Sequence, residues 1–285
     1  MSEPARLSDI AERYEAILCD VWGVVRDGRA LVPEALDALA KFRARGGRVL
    51  LLSNSPRRAG SLLNFLAQMG GFAPGEAPWD GAVTSGEATR AVLASLAPGP
   101  ACKLGPDWDD PLYEGLGLDF APLEHARFIS ATGLVDYESE TVADYADLLR
   151  EAQLRRLPMV CVNPDRLVQV GDRLLPCAGA LAEAYEEMGG QVIYAGKPHP
   201  PIYTLAYDRL TEISGRVVDA DAILAVGDGP ETDVLGAQQE GLDCLFVASG
   251  ILGAAFETGF DADSVDRALA RSGVAARWSA DRLVW

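Results

Sequence analysis

Four polar groups in this 285-residue chain each follow a short apolar segment, and together they have the composition of a phosphate-handling site. The groups are Asp20 after residues 16–19, the pair Ser53 and Asn54 after residues 48–52, Lys197 after residues 191–194, and Asp228 after residues 222–226. A continuous apolar run is typical of a strand that is buried on both faces of a parallel sheet. Because such sheets carry their ligand sites at the carboxyl ends of the strands, we expect the four groups to meet at one edge.

The individual residue types suggest a division of labour. Asp20 suits a nucleophile or a metal ligand, and an aspartate that merely caps a turn at a strand end is the alternative. Ser53 precedes a predicted helix, where a hydroxyl and free backbone N–H groups can hold a phosphate. Lys197 supplies positive charge, and Asp228 and Asp233 flank a four-residue stretch. Each feature alone has an ordinary structural explanation, but their combination in this order favours a functional site.

Three of these side chains, Asp20, Asp228 and Asp233, are carboxylates, and carboxylates that share one pocket repel each other. A hard divalent cation with oxygen ligands would relieve that repulsion and would bridge to a phosphate. Mg²⁺ suits this position because it is commonly bound by one or two carboxylates, waters and phosphate oxygens. The sequence therefore predicts a magnesium site.

The elements that must position these groups alternate between strand and helix, which favours parallel strands with right-handed crossovers. A loop-rich region with a predicted hairpin, Leu167–Leu175 with Gly171 and Asp172 in its turn, interrupts the pattern before the strand preceding Lys197 resumes it. We therefore predict an α/β fold with a Rossmann-like, doubly wound parallel-sheet core. Residues 1–86 and 190–285 form the core, and residues 87–189 form an inserted α/β cap domain.

Composition narrows the classes of partner. The formal net charge of −17 argues against nucleic acid, whose binding depends on Lys and Arg. The sequence lacks an apolar run of about 18 residues, so no membrane span is predicted. Since an apolar signal core is also lacking near the start, we expect a cytoplasmic location. The five scattered cysteines favour structural thiols over disulfides or zinc.

The order of the motifs resembles the haloacid-dehalogenase-like (HAD) superfamily of aspartate-nucleophile phosphotransferases. Its class IIA branch, which includes p-nitrophenyl phosphatase-like and nucleotide or sugar phosphatases, is the most similar, because it inserts a large α/β cap between the second and third motifs. The segments that carry the resemblance are Val49–Asn54, Thr84–Thr89, Asn163–Asp165, Gly196–Pro198, and Gly227–Asp228 with Thr232–Asp233.

The resemblance implies a role for each matching position. Asp20 would attack phosphorus and become an aspartyl phosphate, while Ser53 would hydrogen-bond the transferring phosphoryl oxygens. Lys197 would hold the nucleophile and the phosphate together. Asp228 would ligate Mg²⁺, and Asp233 would support that ion from behind its direct ligands or through water.

One position departs from the family pattern. The second aspartate of the first motif, which protonates the leaving group and activates water, is replaced by Trp22, whose indole N–H can only donate. The backbone carbonyl of Trp22 would still serve as a metal ligand. Three interpretations remain open: a slow or selective phosphatase that uses a good leaving group or another acid such as Asp27 or Glu231, a protein that binds a phosphorylated ligand with little turnover, and a different superfamily reaction such as C–P bond cleavage.

Specificity is expected to lie in the cap, which covers the site in this branch. Asn163, Asp165 and Arg166 follow a predicted cap strand and, with Asn54, are candidate substrate-binding residues, although Asn-Pro-Asp is also an ordinary turn sequence. The expected partner is a small phosphorylated metabolite, namely a sugar phosphate or a nucleotide. The resemblance also implies a homodimer that pairs through the caps.

Overall fold

The structure is a computed structural model that describes residues 2–73, 75–137, 139–170, 173–253 and 260–285. Within these ranges the strands form a seven-stranded sheet, a four-stranded sheet and a two-stranded hairpin. The strands are β1 (Glu3–Pro4), β2 (Ala16–Cys19), β3 (Arg48–Ser53), β4 (Gly81–Thr84), β5 (Ala101–Leu104), β6 (Phe128–Ala131), β7 (Met159–Cys161), β8 (Leu167–Val170), β9 (Arg173–Pro176), β10 (Val192–Tyr194), β11 (Ile223–Gly227), β12 (Asp243–Val247) and β13 (Trp278–Ala280).

The α-helices connect these strands on both sides of the sheets. They are α1 (Leu7–Ile10), α2 (Pro33–Ala44), α3 (Ala59–Gly70), α4 (Ser85–Ser95), α5 (Ala146–Leu154), α6 (Ala178–Glu187), α7 (Pro200–Ser214), α8 (Leu235–Gln239) and α9 (Ala262–Arg271). No helix in the described ranges combines the length and the apolar character that a membrane crossing requires.

The larger sheet has the order β1-β13-β12-β11-β2-β3-β4, and all of its strand pairs are parallel. Successive residues of β2 point to opposite faces, so Ile17 packs with α1, α2 and α3 while Leu18 packs with α7, α8 and α9. Both faces are therefore covered by apolar helices, as the continuous apolar runs require. This arrangement confirms the predicted doubly wound, Rossmann-like α/β fold.

The smaller sheet has the order β10-β7-β6-β5 and is also parallel. Helices α5 and α6 cover one of its faces through Leu149, Leu181 and Tyr185, and Leu93 of α4 belongs to a second apolar cluster with Val160 of β7. The hairpin β8–β9 is antiparallel, in agreement with the sequence pattern. Its predicted turn residues, Gly171 and Asp172, lie outside the described residues.

Strand β10 corrects one expectation. The sequence placed the strand before Lys197 in the larger sheet, whereas Val192–Tyr194 pairs with β7 of the smaller sheet. An apolar run indicates a buried parallel strand but contains no information about which sheet it joins. The domain boundaries at residues 86–87 and 189–190 stay a prediction, but β10, which lies after residue 190, extends the smaller sheet rather than the larger one.

Candidate active site

Three of the predicted groups come from neighbouring strands of the larger sheet. Strand β2 lies between β11 and β3, so its carboxyl end is flanked by theirs. Asp20 directly follows β2, Ser53 is the last residue of β3, and Asp228 directly follows β11. The backbone N–H of Asp20 donates to the Val226 carbonyl at 2.8 Å, which extends the pairing to this position. The expectation from parallel topology therefore holds for these three groups.

Lys197 reaches the same place from the smaller sheet. Asn54 fixes its backbone in both directions: the Lys197 N–H donates to Asn54 Oδ1 at 2.8 Å, and Asn54 Nδ2 donates to the Lys197 carbonyl at 3.1 Å. Gly196 allows this approach, since a Cβ there would lie 2.7 Å from Asn54 Oδ1 and closer still to Ser85 Oγ. Two segments 143 residues apart are thus held together by an amide side chain.

The ammonium group of Lys197 lies between two carboxylates. Its Nζ donates to Asp20 Oδ1 and to Asp233 Oδ1, each at 2.6 Å, and all three residues are buried. Asp233 lies in the short helical turn Pro230–Val234, and its other oxygen accepts from the Gly229 N–H at 3.1 Å. This geometry orients the Asp20 carboxylate by a charge-assisted hydrogen bond.

Burial and mutual repulsion dominate the electrostatics. Burial raises the pKa of Asp20 well above its usual range, and Asp233 and Asp228 add to this while Lys197 opposes it. Burial, with repulsion from Asp233, also raises the pKa of Asp228 to about 7. For Lys197, burial opposes the charge, yet Asp20 and Asp233 raise its pKa well above the ordinary value. Lys197 is therefore charged at neutral pH, but its single positive charge does not balance the negative charge that the three aspartates would carry when ionised.

The carboxylate cluster fits a hard divalent cation. One oxygen from each of Asp20, Asp228 and Asp233 lies within 4.8 Å of the others, and all three residues are buried. When ionised, their three negative charges face the single positive charge of Lys197. A Cβ at Gly23, which has a φ of +83°, would lie 2.5 Å from Asp228 Cγ, and the corresponding distance at Gly250 is 2.4 Å. A side chain at either glycine would therefore occupy the space that the Asp228 carboxylate fills. Carboxylate oxygens are among the ligands that Mg²⁺ prefers.

Two cavities meet at this edge. The first, which we call the Asp20 cavity, has a volume of about 240 Å³ and is lined by Asp20, Lys197, Asp228 and Asp233 among others. The second, the Arg26 cavity, has a volume of about 280 Å³. Its lining combines charged and aromatic side chains: Trp22, Arg26, Arg57, Phe65, Trp108, Asp109, Tyr137 and Asp165. Trp22, Asp165 and Val168 line both cavities and form the wall between them.

The predicted substrate-binding residues divide into different groups. Asp165 lines both cavities, and Asn163 lines the Arg26 cavity while its Oδ1 accepts from the Asp165 N–H at 3.1 Å. The amide of Asn54 is hydrogen-bonded to the backbone of Lys197, and its Nδ2 also donates to Asp165 Oδ1 at 2.8 Å. Its predicted contact with substrate is not supported, because its hydrogen-bonding groups already position other site residues. Ser53 is fully buried, lines neither cavity, and its Oγ accepts from the Ser55 N–H at 3.2 Å.

Arg166 is not brought to either cavity. Its guanidinium is about half exposed and pairs with Glu183, at 2.8 Å, and with Glu231. The same ion pair removes Glu231 as a substitute for the missing acid. Asp27 does line the Asp20 cavity, but the N–H groups of Ala30 and Arg29 donate to it and lower its pKa, which disfavours proton donation. The predicted substrate role of Arg166 therefore has no support from its position.

Sequence reasoning missed Arg26, Arg57 and Asp109, which the structure gathers in the Arg26 cavity. The sequence contained a partial indication of the two arginines, because Arg57 follows the Ser53–Pro56 segment and Arg26 follows the Asp20 motif. Asp109 comes from the turn Asp107–Leu112 and had no signal in the sequence. Burial raises the pKa of Asp109 to about 6, against the effects of a hydrogen bond from Thr132 and of the Arg57 charge.

Comparisons with known proteins agree with this geometry. The family described as haloacid dehalogenase-like hydrolase matches residues 17–118, and one described as HAD-hydrolase-like matches residues 194–270. A solved structure of a haloacid dehalogenase-like family hydrolase from Brucella suis 1330 shares 37% sequence identity and a TM-score of 0.87. That match covers 99% of this chain and 100% of the Brucella chain.

Two further similarities involve glycerol phosphate phosphatases from Mycobacterium tuberculosis. The curated D-glycerol 3-phosphate phosphatase is 29% identical over 249 residues, and the match covers 86% of this chain but only 66% of that protein, just under two thirds. A glycerol phosphate phosphatase solved in complex with calcium has 26% identity and a TM-score of 0.62, with 85% of this chain and 68% of that chain covered.

Proposed function

This chain belongs to the haloacid dehalogenase-like hydrolase family, in its class IIA branch, and on that premise we propose that it is a Mg²⁺-dependent phosphatase. Its substrate would be a small phosphorylated metabolite, namely a sugar phosphate or a nucleotide. The observation that carries the proposal is the buried contact of Lys197 with Asp20 and Asp233 beside Asp228. Such an arrangement presents a carboxylate to an incoming phosphoryl group with positive charge at its side.

The proposed reaction has two displacements at phosphorus. A carboxylate oxygen of Asp20 attacks, the bond from phosphorus to the ester oxygen breaks, and the leaving alcohol keeps the electron pair and takes a proton from water. Water then attacks the aspartyl phosphate at phosphorus, which releases inorganic phosphate and restores Asp20. The chain contributes chiefly positioning and charge stabilisation.

Each further residue has a proposed task. Lys197 neutralises charge on the phosphoryl oxygens while it keeps Asp20 oriented, and Ser53 is a hydrogen-bond donor to those oxygens. Asp20, the Trp22 carbonyl and Asp228 would hold Mg²⁺, with Asp233 supporting it. The bound ion would supply positive charge that offsets the charge of the phosphoryl group.

Trp22 limits what the enzyme does well. An indole cannot protonate a leaving group or activate water, and such acid–base help is worth ~10²–10⁴-fold in rate. We therefore propose a slow or selective phosphatase that favours good leaving groups. The same residue supports a second candidate, a protein that binds a phosphorylated ligand and scarcely turns it over.

The proposals for assembly and location rest on other grounds. The resemblance to class IIA proteins supports a homodimer through the smaller sheet and its helices. The five free, buried cysteines are in keeping with a cytoplasmic protein. Similarly, the net charge of −17 supports a small metabolite rather than nucleic acid as the partner.

The test uses p-nitrophenyl phosphate, whose leaving group needs little protonation, with and without Mg²⁺. The proposed enzyme hydrolyses it in the presence of Mg²⁺, and both removal of Mg²⁺ and the Asp20→Asn variant abolish turnover. Turnover in the wild-type protein that does not exceed that of Asp20→Asn would contradict the phosphatase and favour the binding protein.

A further inference from the structure

The Arg26 cavity contains two guanidinium groups that are close to each other and form no close ion pair within the described residues. Arg26 is only 9% exposed, and Arg57 is half-buried. In the part of the chain that the structure describes, no carboxylate lies within the 4.0 Å ion-pair distance of either group. Two carboxylates, Asp109 and Asp165, line the same cavity, and the Arg57 charge acts on Asp109 from beyond ion-pair distance.

The buried arginine is incompletely satisfied. Its Nη2 donates to the Gly28 carbonyl at 2.7 Å, while its Nε is buried and has no hydrogen-bond partner in the described structure. A charged group that is taken out of water without a partner destabilises the fold by several kcal/mol in typical cases. Burial, and after it the nearby Arg57 charge, lower the pKa of Arg26, while the Asp27 charge opposes them.

Aromatic rings fix both guanidinium groups in place. The Arg26 guanidinium carbon lies 4.1 Å from the centre of the Trp22 ring and 4.9 Å from that of Phe65, and the corresponding Arg57–Phe65 distance is 5.2 Å. Cation–π contacts of this kind orient a cation and leave its in-plane N–H groups free to bind oxygen. The cavity therefore presents the Arg57 guanidinium and the remaining N–H groups of Arg26 as pre-positioned donors.

We propose that Arg26 and Arg57 bind a second anionic group on the substrate. The substrate class is then a phosphate ester whose leaving group itself carries a carboxylate or a second phosphate. This assignment rests on the proposed phosphatase function, because it takes the phosphoryl group to lie at Asp20. Trp22 becomes a positioning residue, whose ring holds Arg26 at the wall between the two cavities.

The dimensions suit a small molecule. Asp20 and Trp22 are two residues apart, so their Cα atoms are at most about 7.6 Å apart. The Arg26 guanidinium lies against the Trp22 ring, and Trp22 lines both the Asp20 cavity and the Arg26 cavity, so the two proposed anion sites are neighbours. Trp108 and Tyr137 pack edge to face at 5.8 Å and add apolar wall to the same cavity. A substrate that spans these two neighbouring cavities, of about 240 and about 280 Å³, is a small molecule.

The experiment compares matched substrates: phenyl phosphate, 4-carboxyphenyl phosphate and 1,4-phenylene bisphosphate. In the wild-type protein, kcat/KM for at least one of the doubly anionic esters should exceed that for phenyl phosphate by about tenfold or more, since hydrogen bonds to charged groups are individually strong. The carboxylate and phosphate arms identify which second anion is preferred.

Variants connect that preference to the two arginines. Arg57→Gln should reduce the selectivity ratio to near one, and Arg26→Gln should do the same if the buried site tolerates it. Arg58→Gln is the matched control, because Arg58 is the next residue but pairs with Glu87 and lines a different depression. The control should keep the wild-type ratio.

Two results would overturn the inference: a wild-type ratio near one for both esters, or a high ratio that survives Arg57→Gln and Arg26→Gln alike. Failure of the phosphatase proposal is recognised separately, by an absence of phenyl and p-nitrophenyl phosphate turnover. In that case, calorimetric binding of 4-carboxyphenylphosphonate against phenylphosphonate tests the arginines directly. The inference is supported if the wild-type protein binds 4-carboxyphenylphosphonate about tenfold more tightly than phenylphosphonate, and if Arg57→Gln removes this preference while Arg58→Gln keeps it. Equal affinities of the wild-type protein for the two phosphonates would contradict the inference.

Discussion

Trp22 has two consequences that act at the scale of single residues. It occupies the position at which the family pattern has an acid, and its ring lies against Arg26 at the wall between the Asp20 cavity and the Arg26 cavity. The sequence predicted the first consequence, because an indole N–H cannot exchange roles with a carboxylic acid. The contact of the ring with Arg26 is known only from the structure, because the order of residues does not show which side chains Arg26 meets.

We expect Trp22→Asp to change rate and selectivity in opposite directions. A carboxyl group at this position restores acid–base help, so kcat on simple alkyl phosphates such as glycerol phosphate should rise by up to about 10²–10⁴-fold. The loss of the ring frees Arg26, so the preference for doubly anionic esters should fall. Steady-state kinetics on both substrate types checks this, and an unchanged rate on alkyl phosphates would show that Trp22 does not occupy the acid position.

Asp109 gives a pH prediction for stability. Its pKa is raised to about 6 by burial, so the folded state binds its proton more tightly than the unfolded state, whose pKa is about 3.9. Stability from this group is present below the unfolded pKa and is lost as pH rises from about 4 to about 6. The groups facing it are Thr132, Arg57, Asp110 and Lys103.

Asp109→Asn should therefore gain stability relative to wild type as pH rises from about 4.5 to about 7.5, by about 2 kcal/mol. Urea unfolding at the two pH values measures the difference. Asp147→Asn, at a carboxylate on the surface of α5, is the control and should show no such trend. A pH-independent difference for Asp109→Asn would mean that its carboxyl is not perturbed.

At the scale of elements, the site depends on two sheets rather than one. The ends of β2, β3 and β11 follow from short, uninterrupted apolar runs, and the sequence located all three. The strand before Lys197 was also located, but its partner was not, because Val192–Tyr194 is as compatible with the smaller sheet as with the larger one. The clamp by Asn54 and the close approach at Gly196 then bring Lys197 to Asp20.

Gly196→Ala tests this clamp. The added Cβ would lie 2.7 Å from Asn54 Oδ1, so the backbone of Lys197 must shift, and such overpacking typically destabilises by about 1–3 kcal/mol. Turnover of p-nitrophenyl phosphate should fall by at least about tenfold, since misplacement by about 1 Å can weaken catalysis about 10²-fold. Gly60→Ala in α3, where a Cβ would meet nothing within 4 Å, is the control and should keep activity. Full activity in Gly196→Ala would contradict the clamp.

At the scale of the whole molecule, a strongly acidic chain places three basic side chains beside its proposed reaction centre. The net charge of −17 disfavours the approach of an anionic ester, and Lys197, Arg26 and Arg57 provide the local attraction that such a ligand needs. Composition predicted only that a cation or local positive groups must offset this charge for an anionic substrate to bind. It could not predict which arginines serve, because the order of residues does not show which basic side chains pair with acidic neighbours and which line a cavity.

The same residue that slows the first displacement should slow the second, since Trp22 cannot activate the water that attacks the aspartyl phosphate. The intermediate should therefore accumulate during turnover. The most direct measurement is rapid acid quenching with p-nitrophenyl phosphate and Mg²⁺, followed by mass spectrometry of the peptide that contains Asp20. We predict one phosphoryl group on Asp20, sensitive to hydroxylamine and absent from Asp20→Asn. Turnover that persists in Asp20→Asn, or a phosphoryl group on another residue, would contradict the account.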